Sequence, residues 1–196
     1  MLKKSFWVLI VFTLVSCLPV PWTKVDYKSP TTRQYNLQDQ PDIDGEHGYL
    51  WMKNALIILF MRAHDETIYA GSSPYRLYVV AYGQHEKQDR LKVHDIRVKT
   101  ASGKAFNVNP TLRNYKNAQL EEQVLAFPAE VLFTPITPEN PVWTYASLTT
   151  GDEIKPQNQE SLEVSVDLEV ITPTGNVRRV IRDTFVPVKK SGWFQS

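Results

Sequence analysis

Histidine is followed directly by an acidic residue at three positions of this chain: His64-Asp65, His85-Glu86 and His94-Asp95. Imidazole and carboxylate groups are common metal ligands, so such pairs could contribute to a metal site. Neighbouring residues of a strand point to opposite faces of a sheet, however, so a pair cannot chelate one ion from regular β structure. We therefore predict no metal site. We expect His94 to be in phase with Ile96 and Val98, as a partly buried histidine with a hydrogen-bonded ring.

The sequence offers no recognisable catalytic motif. It contains no Gly-x-Ser-x-Gly elbow, no phosphate-binding glycine loop and no His-Glu-x-x-His helix. Serine and carboxylate side chains are plentiful, but sequence spacing alone does not bring three of them together. We predict no catalytic residue and no cofactor. A hydrolase would require carboxylates that converge in a cleft, with the pKa of one of them raised.

A small basic cluster lies near the C-terminus and contains Arg178, Arg179 and Arg182, with Lys189 and Lys190 beyond it. One interpretation is a solvated strand face on which these residues pair with Glu163, Asp167 and Glu169. The other is contact of Arg178, Arg179 and Arg182 with an anionic partner such as lipid or polysaccharide. The whole chain has 22 basic and 21 acidic side chains. This balance argues against nucleic acid, which requires a concentrated basic surface.

The N-terminus has the features of an export signal. Lys3 and Lys4 precede the apolar run from Phe6 to Phe12, and small residues follow at the end of that run. The apolar run is interrupted by Thr13, and Pro19 follows soon after. It is therefore too short to span a bilayer, which takes about 20 apolar residues.

The sequence Leu14-Val15-Ser16-Cys17 resembles the lipobox of bacterial lipoproteins. The resemblance implies that residues 1–16 are a signal peptide and that Cys17 is the lipid attachment site, carrying fatty acids such as palmitate. Two or more acyl chains make such an anchor stable, whereas one chain binds only reversibly. In this class an Asp after the cysteine specifies the inner membrane. Leu18 occupies that position here, which implies the outer membrane.

Removal of residues 1–16 leaves 180 of the 196 residues, enough for one domain. Residues 17–44 are rich in proline and polar residues without a sustained period, which predicts a flexible tether. Residues 45–196 then form a single domain. Because Cys17 is the only cysteine, no disulfide bond stabilises that domain, and its stability must come from burial and strand pairing.

Several short apolar segments predict strands, including Ala55–Met61, which is typical of a strand buried on both faces, and Tyr75–Gly83. Residues 91–108 predict a hairpin in which Gly103 adopts a left-handed conformation and Val98 lies opposite Phe106. This register also sets Ile96 opposite Val108. Residues 117–125 have the propensity for two helical turns.

A second hairpin is predicted from Leu162 to Val188, because apolar and polar residues alternate strictly along its first strand. We expect Pro173-Thr174-Gly175-Asn176 to form the turn and Thr172 to lie opposite Val177. The remaining expected pairs are Asp167 with Arg182 on the solvent side, and Leu168 with Ile181 and Val164 with Phe185 inside.

Short strands, frequent turn signals and little helix predict an all-β fold, an antiparallel β-sandwich that is immunoglobulin-like in the broad sense. Together with the lipobox, this favours a lipid-anchored, non-enzymatic module of the cell envelope that binds or scaffolds a protein or polysaccharide partner. Two alternatives stay open. One is an envelope hydrolase acting on glycan or peptidoglycan, and the other is a surface adhesin or an assembly component of a secretion machine.

Overall fold

The computed structural model describes residues 21–30, 48–52, 55–63, 74–84, 88–116, 119–137, 139–157 and 159–193. Within these ranges the chain forms thirteen strands and no helix. The strands are β1 Pro21–Lys28, β2 Gly48–Met52, β3 Ala55–Ala63, β4 Tyr75–Gly83, β5 Arg90–Thr100, β6 Ala105–Phe106, β7 Pro110–Lys116, β8 Gln119–Val124, β9 Ala129–Leu132, β10 Thr134–Thr137, β11 Asn140–Thr150, β12 Leu162–Thr172 and β13 Gly175–Trp193.

The strands form two antiparallel sheets. Sheet I has the order β1-β13-β12-β5-β6, with β9 also paired to β5. Sheet II has the order β2-β3-β4-β11-β7-β8, with β10 also paired to β11. The two sheets pack face to face around one hydrophobic core, so the predicted antiparallel β-sandwich is confirmed.

The core follows from the alternation of side chains along each strand. On β12 the five apolar residues Leu162, Val164, Val166, Leu168 and Val170 are at most 2% exposed, while the polar residues between them face solvent. Leu77 and Val79 on β4 and Leu148 on β11 supply the facing side of the core from sheet II. Strand alternation thus assigns one face of each sheet to the core.

The outer face of sheet II is also apolar near β3 and β4. Leu56, Ile58 and Val80 are buried, although they lie on the side of the strands opposite to the core. Next to them the ring of Phe60 stacks on that of Tyr78, with 4.7 Å between centroids and 4° between planes. The prediction of a strand buried on both faces is therefore confirmed for β3.

The predicted tether is wrong for Pro21–Lys28, and so is a domain boundary at residue 45. These eight residues form β1, which pairs with the last part of β13. Val25 and Tyr27 are 3% and 4% exposed and belong to the core. The proline-rich composition concealed this strand, because only two apolar residues alternate with Lys24, Asp26 and Lys28.

The two helical turns expected within residues 117–125 are also wrong. Gln119–Val124 forms β8, which pairs with β7 from Thr111↔Val124 to Lys116↔Gln119. Helix propensity differs little between residues, and pairing with a neighbouring strand outweighs it here.

The first hairpin has the predicted register over its ladder. Val98 pairs with Phe106, and Gly103 has a φ of +90°. The ladder between β5 and β6 ends at that pair, so the expected Ile96–Val108 pair is wrong.

The second hairpin is shifted by two residues from the predicted register, because Thr172 pairs with Gly175 across the two-residue turn Pro173-Thr174. Asp167 then lies opposite Val180, Leu168 opposite Arg179 and Val164 opposite Asp183, so the predicted partners are wrong. A shift of two residues keeps every side chain on its predicted face.

Candidate functional site

The outer face of sheet I is covered by ion pairs between neighbouring strands. The bonds are Lys99 Nζ–Glu163 Oε2 at 2.7 Å, Arg178 Nη2–Asp167 Oδ2 at 2.7 Å, His94 Nε2–Glu169 Oε2 at 3.0 Å and Lys92 Nζ–Glu130 Oε1 at 2.8 Å. Each links charges that strand pairing places on the same face. Exposed pairs of this kind contribute little stability, at most about 1 kcal/mol each. The face is therefore a charged surface with both signs interspersed.

A groove of about 850 Å³ lies in this face where β5, β12 and β13 run side by side. Strand pairing aligns Arg182, Ser165 and Arg97 in one row across the three strands. The next row contains Thr184, Glu163 and Lys99. Because adjacent strands are about 4.8 Å apart, the backbones of Arg182 and Arg97 are about 10 Å apart, with Ser165 between them. We call this site the Arg182 groove.

The side chains of the Arg182 groove differ in how they are already engaged. Lys99 is paired with Glu163, and Arg97 Nε donates a 2.6 Å hydrogen bond to Asp95 Oδ2. Arg182 is exposed, and the described residues give it no hydrogen bond and no ion pair. A guanidinium without a carboxylate keeps its five donors for a ligand. The groove is therefore lined by three cations and by two acids, Glu163 and Asp183, and Arg182 is the cation available to a ligand.

The structure separates the three arginines that the sequence grouped together. Arg178 binds Asp167 through two hydrogen bonds, and this bond lowers the pKa of the Asp167 carboxyl group. Arg179 lies opposite Leu168, in the row of the core-facing residues, and donates to the carbonyl oxygen of Arg178. Only Arg182 lies in the groove. The paired-face interpretation thus holds for Arg178, and the anionic-partner interpretation has its support at Arg182.

The two other cations of the groove were missed in the sequence. Arg97, Lys99 and Ser165 were not among the predicted site residues. They become neighbours of Arg182 because β12 pairs with β5 on one side and with β13 on the other. Hairpin patterns reveal pairs between consecutive strands, but the β5–β12 pair joins strands that are far apart in sequence.

His94 lies at a β-bulge rather than in regular alternation. Asp167 pairs with Asp95, but the next residue, Leu168, pairs with Val93, so His94 is the extra residue. The expected phase with Ile96 and Val98 is therefore wrong, although the ring is partly buried and hydrogen-bonded as predicted. The sequence contains the signal: apolar residues fall on odd positions before His94 and on even positions after it.

A second polar cluster lies on sheet II around Arg76, which is 3% exposed. Its guanidinium binds Asp152 through Nε at 2.5 Å and Nη2 at 2.9 Å, and it also binds both carboxylate oxygens of Glu122. Arg113 Nε lies 3.0 Å from Glu122 Oε1, and its Nη1 donates to the Tyr78 hydroxyl at 2.6 Å. The hydrogen bond from Arg76 lowers the pKa of Glu122.

The remaining predicted site residue, Cys17, lies outside the described residues, as do His64-Asp65 and His85-Glu86. In the described part of the chain, no three His, Cys, Asp or Glu side chains converge as a metal site requires. No helix among the described residues is long and apolar enough to cross a membrane.

Comparison with protein-family models gives no match for this chain, and comparison with curated proteins gives none either. The features of the chain that bear on its function are the Arg182 groove and the N-terminal resemblance to a lipobox.

Proposed function

We propose that the protein is a lipid-anchored, non-enzymatic module of the cell envelope that binds an anionic polysaccharide in the Arg182 groove. The single observation that carries the binding step is the exposed guanidinium of Arg182, which has no acidic partner among the described residues. Arg97 and Lys99 lie across the groove, where they are paired with Asp95 and Glu163. Membrane attachment follows from the resemblance of Leu14–Cys17 to a lipobox.

A polysaccharide suits this groove for geometric reasons. The groove is open and runs across three strands, so it can accept a segment of an extended chain. Arg182 and Arg97 lie in one row of the groove and Lys99 lies in the next row. Cations in neighbouring rows can contact successive acidic groups of a polymer. Arg182 supplies directed hydrogen bonds to a carboxylate or sulfate group, and the Ser165 hydroxyl can donate or accept beside it.

The alternative of an envelope hydrolase finds less support. Carboxylates of the described residues converge on Arg76, where Glu122 and Asp152 share one guanidinium. A general acid of a glycosidase needs a raised pKa, whereas the pKa of Glu122 is lowered by Arg76. This arrangement is typical of an ion-pair network that stabilises the fold.

The binding step can be tested with dextran sulfate, using neutral dextran as the uncharged reference polymer. Arg182→Gln should weaken the binding of dextran sulfate roughly three- to tenfold, because it removes one charge-assisted contact. Binding should also weaken as salt is added, since exposed charges are screened. Titration calorimetry on the purified full chain gives both results.

Arg178→Gln is the matched control, because Arg178 lies on the same strand but already binds Asp167. It should leave the affinity for dextran sulfate nearly unchanged. Equal losses in the two variants, or equal affinity for neutral dextran, would contradict binding in the groove.

Lipid attachment needs a separate test. Cys17→Ser should abolish incorporation of a labelled fatty acid into the protein, while the parent chain is labelled. Equal labelling of both proteins would reject Cys17 as the attachment site and leave the result on the groove untouched.

A further inference from the structure

The first strand begins only four residues after Cys17, because β1 starts at Pro21. Four residues of extended chain span at most about 14 Å. The sequence alone predicted a tether of more than twenty residues, which would have let the domain move far from the bilayer. The position of β1 in the sandwich instead limits how far the start of that strand can lie from a lipid on Cys17.

The start of β1 lies beside the end of β13. Pro21 pairs with Trp193, and the ladder continues to Lys24↔Lys190 and Val25↔Lys189. We call this part of the ladder, residues 21–26 and 188–193, the Pro21 end. It contains Lys24, Lys189 and Lys190, and basic residues are the type that an anionic membrane surface attracts.

The charges at the Pro21 end are mostly positive. Asp26 Oδ2 lies 2.9 Å from Lys190 Nζ, and Asp26 Oδ1 lies 3.2 Å from Lys24 Nζ. Partial burial alone would raise the pKa of Asp26, but these two ammonium groups hold it below its usual value. Lys189 is exposed and has no ion pair among the described residues. Three lysines and one aspartate leave an excess of two positive charges.

We infer that the Pro21 end docks on a surface of anionic phospholipid headgroups, which orients the domain on the membrane. This inference rests on the lipid anchor of the proposed function. Basic residues close to an anionic bilayer are attracted to it, and the short connection to Cys17 keeps them within that range. Arg182 lies eleven residues before Trp193 on β13. The docked orientation therefore holds the Arg182 groove up to about 35 Å along the strand from the bilayer.

The orientation can be measured with a single added cysteine, because lipidation consumes the only native thiol. The full lipidated chain carrying Ser191→Cys, at the Pro21 end, is labelled with a fluorophore. A second protein carries Asn176→Cys at the opposite end of β13. Both are placed in phosphatidylcholine vesicles containing phosphatidylglycerol and a lipid with a nitroxide on its headgroup. The nitroxide should quench the fluorophore at position 191 and leave the one at position 176 unquenched.

The lysines are tested in the same assay. Lys189→Gln should lower the ratio of docked to undocked protein about fivefold, since each basic residue near an anionic membrane contributes attraction of that order. Lys92→Gln, at the level of the opposite end of β13, is the control and should not change the quenching. Omitting phosphatidylglycerol should weaken quenching at position 191.

Each contrary result would reject a different part of the inference. Labelling of the parent protein by the thiol reagent would show that Cys17 carries no lipid, and the proposed anchor would fail. Equal quenching of the two fluorophores on a lipidated chain would overturn the docking inference while the anchor stands. Docking that is insensitive to Lys189→Gln and to phosphatidylglycerol would overturn the role of anionic headgroups.

Discussion

The hydroxyl group of Tyr75 on β4 donates a 2.7 Å hydrogen bond to the backbone carbonyl oxygen of Val25 on β1. This bond connects the two sheets. The ring of Tyr27 on β1 meets the Tyr75 ring edge to face at 4.8 Å, and its hydroxyl donates to the carbonyl oxygen of Glu160 at 2.9 Å. Burial raises the pKa of both phenols to about 12, so both remain donors at neutral pH. These two hydrogen bonds and the ring contact attach β1 to the rest of the sandwich.

Tyr75→Phe should destabilise the protein by about 1–2 kcal/mol, because it leaves the buried carbonyl oxygen of Val25 without a hydrogen-bond donor. Urea unfolding followed by tryptophan fluorescence measures this loss. Tyr145→Phe is the control, since that side chain is 38% exposed and should change stability by less than about 0.5 kcal/mol. Equal effects would mean that the bond contributes nothing specific.

A chain that begins at residue 45 should be strongly destabilised or unfolded, contrary to the expectation from sequence. It lacks β1 and therefore the buried side chains of Val25 and Tyr27. Burial of one such side chain contributes about 1.5–3 kcal/mol, and most domains have only about 5–15 kcal/mol in total. Thermal unfolding by circular dichroism compares it with a chain that begins at residue 18. Identical midpoints would show that β1 is dispensable.

The sequence predicts strands well where burial imposes a period. On β12 five core residues alternate with polar ones, and the predicted faces are correct. The prediction fails where the alternating segment is short or where the pairing strand is distant in the sequence. Among the β1 side chains that the structure describes, the buried apolar ones are Val25 and Tyr27, and the partner of β1 is at the other end of the chain. β8 has good helix formers, and its strand state depends on pairing with β7.

Register was harder to predict than faces. Shifting β13 by two residues leaves the apolar pattern unchanged, so the pattern did not distinguish Thr172↔Val177 from the observed Thr172↔Gly175. In the observed register Asp167 binds Arg178, and Arg182 lies in the groove. The candidate site therefore depends on a detail of turn geometry, and only one of its cations was among the predicted residues.

Gly103→Ala should destabilise the protein by about 1–2 kcal/mol. The φ of +90° at Gly103 favours glycine, and no atom lies near enough to obstruct a methyl group, so backbone strain is the whole effect. Gly103→Asn should cost less, because asparagine tolerates positive φ better than alanine. Chemical unfolding of both variants tests this order. A larger loss for asparagine would contradict the assignment to backbone strain.

Arg76→Gln should destabilise the protein by roughly 1–3 kcal/mol at neutral pH. Arg76 is buried, but Glu122 and Asp152 are 34% and 37% exposed, so the loss is smaller than for a fully buried pair. Because the pKa of Glu122 is lowered in the folded state, its stabilising effect is present above its ordinary pKa of 4.5 and is lost as the pH falls through the folded value. The difference in unfolding free energy between parent and Arg76→Gln should therefore shrink below about pH 4.5, as measured by urea unfolding at several pH values.

Arg97→Gln, at an arginine whose side chain is 81% exposed, should show only a small difference from the parent at neutral pH. A constant effect of Arg76→Gln down to the acid transition would show that Arg76 acts through packing and not through its charge on Glu122.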